Sequence, residues 1–163
     1  MAPRRGLIIS SDQMRVVDTI LQQLREVSGV RFIAVVSTSG QPITSSPTDH
    51  HPDMLSLASL AASSFAATQQ LAGILSEKEF TLLFHEGREL NLHVAQVSDK
   101  VLLVIAFGHD TQVGKVRLYT GRAVAALAPV FAEPDGTDTP AVVDAAYTAQ
   151  ASEAIEDLFT GQE

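Results

Sequence analysis

The chain has 163 residues, 45% of them hydrophobic, which is enough for one folded domain with a core and excludes global disorder. Its 19 acidic and 11 basic residues give a formal net charge of −8, which argues against nucleic acid or an anionic membrane surface as the main partner. The absence of cysteine excludes disulfides, thiolate catalysis and cysteine-based zinc sites. The apolar run at 7–9 is too short for a signal peptide, so we expect a cytoplasmic protein without membrane insertion.

The first part of the chain predicts a helix followed by two strands. Residues 1–11 are expected to form a flexible N-terminus, and Ser11 or Asp12 then caps a helix that runs to about residue 27. The segment 30–37 is rich in β-branched residues and predicts a buried strand. A short strand at 42–45 is expected at a sheet edge, because its first residue is a proline and cannot donate a ladder hydrogen bond. The apolar stripe of the helix comprises Val16, Val17, Ile20, Leu21, Leu24 and Val27.

Residues 54–75 contain no charged side chain and predict a long helix that packs against another protein. Its core stripe is expected to comprise Leu57, Leu60, Ala61, Ser64, Thr68, Leu71 and Leu75. The opposite face is small and neutral where a soluble helix normally carries charge, and it comprises Leu55, Ser59, Ala62, Ala66, Gln70 and Gly73. We favour an intermolecular interface over a helix fully buried in a monomer, because a domain of this size seldom encloses a helix on all sides.

Three strands and a helix follow. The strands are expected at 79–85, 89–97 and 101–107, and the last should be central because its apolar run shows no alternation. Asp110 is expected to cap a helix that continues to about residue 132. The side chains of this helix that are expected to point inward are Val113, Val116, Ala123, Leu127 and Val130.

The composition of residues 133–140 indicates a linker, so the folded domain is expected to span 12–132 and a tail to span 141–163. The tail predicts an acidic amphipathic helix that is too short to fold stably alone. Docking of this helix on its own domain and binding to a partner are equally compatible with the pattern. Its apolar stripe comprises Ala151, Ile155, Leu158 and Phe159.

No segment of the sequence predicts an enzyme active site. The segment 108–116 is placed like a phosphate-binding loop, but five residues separate its glycines instead of four, and no hydroxyl residue follows its lysine. His50 and His51, with Asp53 nearby, lack a third metal ligand at a fixed spacing, and His93 is expected to face solvent, a partner or a helix edge. We therefore predict no catalytic residue, no metal site and no cofactor. A small-molecule sensor or hydrolase that uses the His50–His51 loop is a distant alternative.

Four segments of the chain carry a resemblance to a known family. They read SLASLAASSFAATQQLA at 56–72, EKEFTLLFHEG at 77–87, VLLVIAFGHDTQVGKVRL at 101–118, and AIEDLF at 154–159. Together they resemble the Roadblock/dynein light chain family, in its MglB-like branch of bacterial gliding-motility regulators. The resemblance covers roughly residues 12–132 and the last turn of the tail.

The resemblance implies an α/β protein of the α+β sandwich type, with a Roadblock-like five-stranded antiparallel sheet, one long helix on one face and two helices on the other. It also implies a homodimer whose sheets and long helices pair side by side. A Ras-like small GTPase of MglA type, in its GTP-bound form, would sit across the paired helices. The protein would be a regulator in cell polarity or motility and not itself an enzyme. It would activate the GTPase by repositioning the GTPase's own catalytic residues, while the tail modulates nucleotide exchange.

In this interpretation the long helix and the tail supply the contact residues. A polar position in the cell would arise only through partners, and no nucleic acid is expected to bind. The alternative is a Roadblock scaffold that binds a small GTPase or another Roadblock protein without stimulating hydrolysis. Partner binding is expected at Ser59, Ala62, Ser63, Ala66 and Gln70, dimer or partner contact at Leu55, Phe65, Gln69 and Gly73, and tail contact at Ile155, Leu158 and Phe159.

Overall fold

A computed structural model of the chain describes residues 7–48, 53–78, 80–132 and 145–160. The predicted succession of elements is confirmed, with boundaries shifted by a few residues. The predicted linker at 133–140 and the loop residues His50 and His51 lie outside the described residues. In chain order the elements are α1 (Ser11–Ser28), β1 (Phe32–Ser37), β2 (Pro42–Ser46), α2 (Met54–Ile74), β3 (Leu82–His85), β4 (Leu90–Ser98), β5 (Val101–Gly108), α3 (Val113–Phe131) and α4 (Ala145–Thr160).

The strands form one antiparallel sheet in the order β2-β1-β5-β4-β3. Strand β5 lies in the middle and is buried along nearly its whole length, which confirms the prediction from its uninterrupted apolar run. Strand β2, which begins at Pro42, lies at one edge as expected, and β3 lies at the other. The sheet carries α2 on one face and α1, α3 and α4 on the other, which confirms the predicted Roadblock-like α+β fold.

The face of the sheet shared by α1, α3 and α4 carries the larger of two cores. Branched and aromatic side chains from the strands, among them Ile33, Leu103, Ile105 and Phe107, are fully buried there. Burial of each such side chain stabilises the fold by about 1.5–3 kcal/mol relative to exposure. The stripe predicted for α1 is buried in this core apart from its last member, Val27, which is partly buried. The buried members are Val16, Val17, Ile20, Leu21 and Leu24.

The N-cap of the first helix lies one residue before Ser11, the earlier of the two predicted caps. Ser10 is the N-cap, because its side chain accepts a hydrogen bond from the Gln13 N–H while the Gln13 side chain accepts one from the Ser10 N–H. This reciprocal pair is a capping box, which satisfies two of the amide groups that a helix start leaves without partners. Gly29 ends the helix in a left-handed conformation, as the sequence predicts.

The start of α3 corrects a second prediction. Gln112, not Asp110, occupies the N-cap position, and Asp110 lies in the preceding turn with its Oδ1 3.7 Å from Nη2 of Arg31. Because the helix starts later than expected, Val113 falls in its exposed first turn and does not point inward. Val116, Ala123 and Leu127 are buried as predicted, and Val130 is partly buried.

Helix α2 packs alone on the other face, against a smaller core. Its sheet partners there are short or medium side chains: Ala34, Val36, Val94, Leu102 and Val104. Although α2 is 21 residues long, no helix among the described parts of the chain is long and apolar enough to cross a membrane.

Candidate functional site

The buried stripe of α2 differs from the predicted one. Alanines and one phenylalanine face the sheet, whereas Leu60, Leu71 and Leu75 are more than half exposed. Leucine and alanine are both apolar, and α2 has no charge to mark its wet side, so the apolar pattern alone assigned the wrong rotation about the helix axis. The residues that pack on the sheet are Ala58, Ala61, Ala62, Phe65 and Ala72.

Small side chains let α2 approach the sheet closely. The Ser59 hydroxyl donates to the Gly40 carbonyl oxygen at 3.2 Å, in the turn between β1 and β2. A Cβ atom at Gly40 would lie 3.0 Å from the Ser59 Cα, and Gly40 adopts a φ of +89°. Glycine is therefore required at this position for both its conformation and its size. The turn fixes the N-terminal half of α2 against the sheet.

The structure brings together four of the five residues predicted to bind a partner. Ser59, Ser63, Ala66 and Gln70 are exposed on the outward side of α2, and we call them the neutral face. The Ser63 hydroxyl donates to the Ser59 carbonyl oxygen at 2.8 Å, which leaves a low, uncharged surface. Ala62 is the exception and corrects the prediction: it is buried against the sheet, because it lies on the alanine stripe.

Of the four residues predicted for dimer or partner contact, two are exposed and two are buried or partly buried. Leu55 and Gly73 are exposed, at opposite ends of α2. Phe65 is only 3% exposed and fills the core beneath the helix, so it cannot anchor a partner. Gln69 is partly buried, and its side-chain amide donates to the Phe80 carbonyl oxygen, which ties α2 to the segment that leads into β3.

A second exposed surface on α2 contains three leucines that the sequence pattern assigned to the core, together with Ile74, which the pattern did not assign. It consists of Leu60, Leu71, Ile74 and Leu75, which are 67%, 54%, 78% and 64% exposed, and we call it the leucine flank. Large aliphatic side chains clustered on one helix surface commonly mark a protein contact. The signal that could have located it is the lack of charge on every side of α2, which the sequence shows plainly.

The edge strand β3 adds to the exposed apolar surface. Leu82 and Phe84 are each about two-fifths exposed, at 42% and 37%. Strand β3 pairs only with β4 in the described chain, so its outer backbone groups face away from the sheet. Unpaired strand edges are templates for pairing with another chain.

The tail helix docks on its own domain, which is one of the two possibilities that the sequence left open. Ile155 and Phe159 are buried in the larger core, while Leu158 is 39% exposed. The rings of Tyr119 and Phe159 stack at a centroid distance of 6.3 Å, and Nη1 of Arg122 donates to the Leu158 carbonyl oxygen at 3.3 Å. The side chain of Ala151, the fourth member of the predicted stripe, lies outside the described set.

The histidines of the described chain do not form a metal site. His93 is buried beside Arg117 and Thr120 of α3, which agrees with the expected position at a helix edge and not with exposure to solvent. Burial, with a smaller contribution from the charge of Arg117, lowers the pKa of His93 below its ordinary value. Nε2 of His109 lies 3.1 Å and 3.0 Å from the carbonyl oxygens of Gly87 and Arg88, so this ring fastens the turn after β3. No three acidic or histidine side chains cluster as metal ligands in the parts of the chain that the structure describes.

Comparison with known proteins places this architecture in a family. The Roadblock/LC7 domain family matches residues 16–107. The solved structure of Myxococcus xanthus MglB is 33% identical, with a TM-score of 0.67, over 71% of this chain and 94% of that one. The gliding protein MglB from Thermus thermophilus is 28% identical, with a TM-score of 0.69, over 80% of this chain and 98% of that one. An MglB structure described as having a tetrameric arrangement is also 28% identical, with a TM-score of 0.69, over 80% and 97% of the two chains.

A search of curated proteins finds no match. The family match and the 33% identity to M. xanthus MglB over most of both chains agree with the observed sheet order and helix placement. The chain belongs to the Roadblock/LC7 family.

Proposed function

We propose that this protein is a homodimeric regulator that activates a Ras-like small GTPase of MglA type. The observation that carries the proposal is α2: a 21-residue surface helix without a charged side chain, exposing a neutral face and a leucine flank. A surface helix kept free of charge along its whole length is suited to being covered by protein. Similarity to MglB structures supports a GTPase as that partner.

The two surfaces of α2 suit two different contacts. The leucine flank is apolar enough for a permanent contact, and we assign it with the β3 edge to a second copy of the chain. The neutral face is small and polar without charge, so a GTPase can cover it and leave again without a large desolvation cost. The corrected partner-binding set is therefore Ser59, Ser63, Ala66 and Gln70.

The composition of α2 restricts how activation could occur. An arginine supplied by an activator can accelerate GTP hydrolysis about 10³–10⁵-fold, but α2 has no arginine to offer. We therefore propose that the protein acts indirectly, by holding the GTPase in a conformation that aligns the GTPase's own catalytic groups. In this role the protein is a regulator and performs no chemistry itself.

The tail is proposed to modulate nucleotide exchange. In the described structure α4 is held by Ile155 and Phe159 against α1 and α3, on the face away from α2. An apolar stripe that is buried in this way would have to leave its dock before it could contact the GTPase. Docking and GTPase contact by α4 are then alternatives, and the exposed Leu158 is the residue that is accessible in both.

The experiment that tests the GTPase contact places one charge on the neutral face. Ala66→Arg should reduce binding to the GTP-bound GTPase and reduce stimulation of hydrolysis at least tenfold, because a guanidinium would have to be desolvated in a contact that offers it no opposite charge on α2. Ala125→Arg, at an exposed position of α3 away from α2, is the matched control and should behave as the wild type. If Ala66→Arg stimulates hydrolysis normally, the neutral face is not the binding site.

A second candidate is a scaffold of the same fold that binds a small GTPase or another Roadblock protein without stimulating hydrolysis. The neutral face and the leucine flank favour protein binding in both cases. Normal GTP-dependent binding with unchanged hydrolysis would distinguish the scaffold from the activator.

A further inference from the structure

A cleft opens between α3 and the β3–β4 edge of the sheet, on the face opposite α2. Its volume is about 410 Å³, within the range of small-molecule sites. It arises because α3 packs on β4 while β3, which pairs Leu82 with Ala95, extends beyond the helix. We call it the polar cleft, and its lining residues are Thr81, Leu82, His93, Ala95, Gln96, Arg117, Leu118, Thr120, Gly121 and Val124.

Two polar side chains in the polar cleft are almost completely buried, and the hydroxyl of one of them lacks a hydrogen-bond partner within the described chain. Thr120 is 2% exposed, and its Oγ1 has no partner among the described residues. His93 is also 2% exposed. A buried hydroxyl without a partner costs roughly 1–3 kcal/mol, so its presence calls for an explanation. A ligand that enters the cleft would supply the missing partner of the Thr120 hydroxyl.

The charge of the polar cleft identifies the class of ligand. Among the described residues that line it, Arg117 is the one that carries a charge, in a chain whose formal net charge is −8. The remaining polar lining comprises hydroxyls, an amide and an imidazole, all of which can donate hydrogen bonds. Leu82, Leu118 and Val124 provide an apolar wall beside them. Hydrogen-bond donors around a guanidinium, without a carboxylate, suit an anion.

We infer that the polar cleft binds a small organic anion, with its carboxylate or phosphate group at Arg117 and Thr120 and its apolar body against Leu82, Leu118 and Val124. This site goes beyond the proposed function. The neutral face, where the GTPase is proposed to bind, belongs to α2 on the other side of the sheet, whereas the β3 edge assigned to self-association contributes Leu82 to the cleft. Loss of anion binding and loss of GTPase activation are therefore separately measurable.

The test is an NMR titration of the full chain that follows the His93 imidazole signals. The probes are benzoate, which combines a carboxylate with an apolar ring, inorganic phosphate, and benzyl alcohol as the neutral counterpart of benzoate. Benzoate should shift the His93 signals saturably, and benzyl alcohol should bind at least tenfold more weakly. Saturable binding of phosphate alone would also support an anion site and would identify phosphate as the preferred group.

Two variants and one control locate the anion. Arg117→Gln should weaken benzoate binding at least tenfold, and Thr120→Val, which replaces the hydroxyl with a methyl of similar size, should weaken it severalfold. Lys115→Gln removes a charge from an exposed position on the same helix and should leave binding within twofold of the wild type. If Arg117→Gln does not fold, the isosteric Thr120→Val decides. Unsaturable shifts, equal binding of benzyl alcohol, or wild-type affinity in the folded variants would overturn the assignment.

Discussion

The two faces of the sheet are built from different side chains. The face under α1, α3 and α4 is filled by large branched and aromatic residues, whereas the face under α2 is closed by alanines and a single phenylalanine. Each buried alanine removes far less apolar area from water than a leucine, so α2 gains less from its dock than α1 or α3 does. The large side chains of α2 remain outside. The face under α1, α3 and α4 stabilises the fold, whereas the face under α2 carries a helix that exposes its large side chains.

The largest expected effect on stability comes from the larger core. Phe107 is fully buried there, and the centroid of its ring lies 6.2 Å from the ring centroid of Phe84. Phe107→Ala should lower the free energy of unfolding by about 3–5 kcal/mol, because it removes a large contact area and leaves a cavity. Urea denaturation followed by circular dichroism measures the loss. A loss below about 1 kcal/mol would mean that this face does not dominate stability.

The next effect comes from the close approach of α2 to the sheet. Gly40→Ala should lower the free energy of unfolding by about 1–3 kcal/mol, because a Cβ there meets the Ser59 backbone and the φ is positive. Gly121→Ala is the matched control: it lies within α3 with open space around it, and it should be neutral or stabilising by up to about 1 kcal/mol. Equal effects in the two variants would refute the close packing of α2.

A smaller effect on stability depends on pH and comes from His93, on the face of the sheet that α3 covers. The pKa of His93 is lowered by burial and, to a lesser degree, by Arg117, the one other titratable lining residue of the polar cleft. In the window below the ordinary histidine value of about 6.5, the unfolded chain therefore binds a proton that the folded chain does not. Stability is fully present above this window and is lost as pH falls through it, by at most about 1.4 kcal/mol per pH unit.

Comparison of the wild type with His93→Leu checks this pH dependence. The variant should lose less stability than the wild type between pH 7 and pH 5, in urea denaturation at each pH. Identical pH profiles would show that His93 binds protons equally in the folded and unfolded chains.

The smallest expected effect on stability comes from the leucine flank, where a substitution should weaken self-association without affecting folding. Leu71→Ser on the leucine flank should change the free energy of unfolding of the monomer by less than about 0.5 kcal/mol, because Leu71 is 54% exposed. It should weaken self-association at least tenfold in sedimentation equilibrium. Ile8→Ser is the control, since Ile8 is 87% exposed and precedes α1, which contacts the β2 edge of the sheet opposite β3, and it should leave self-association unchanged. Equal behaviour of the two variants would exclude the leucine flank as the contact between copies.

The sequence predicts the buried side of α1 correctly and that of α2 incorrectly. The reason is the absence of charged residues from α2. In α1, polar and charged residues mark the exposed side, so the buried stripe is correct apart from its last residue. In α2 no charge marks any side, so the sequence does not show that alanines and not leucines face the sheet. The structure shows it, because the short distance between α2 and the sheet leaves room only for small side chains. The lack of charge on which the proposed contact surface of α2 rests also concealed which of its residues are exposed.

Other features of the fold depend on contacts between distant parts of the chain. His93 lies in a strand that is covered on both faces, so the alternation of its neighbours could not reveal its burial. The docking of α4 rests on rings and a carbonyl more than thirty residues apart in sequence, Tyr119 with Phe159 and Arg122 with Leu158. Local patterns predict the elements, whereas these pairings exist only in the assembled fold.

Single-turnover GTP hydrolysis tests the central claim most directly. An MglA-type GTPase from the same organism is loaded with GTP and followed with and without an excess of this protein. We predict acceleration of at least tenfold, which is about 1.4 kcal/mol removed from the barrier, together with loss of that acceleration in Ala66→Arg and its retention in Ala125→Arg. Unchanged hydrolysis under conditions in which the two proteins bind each other would contradict the activator and leave the scaffold.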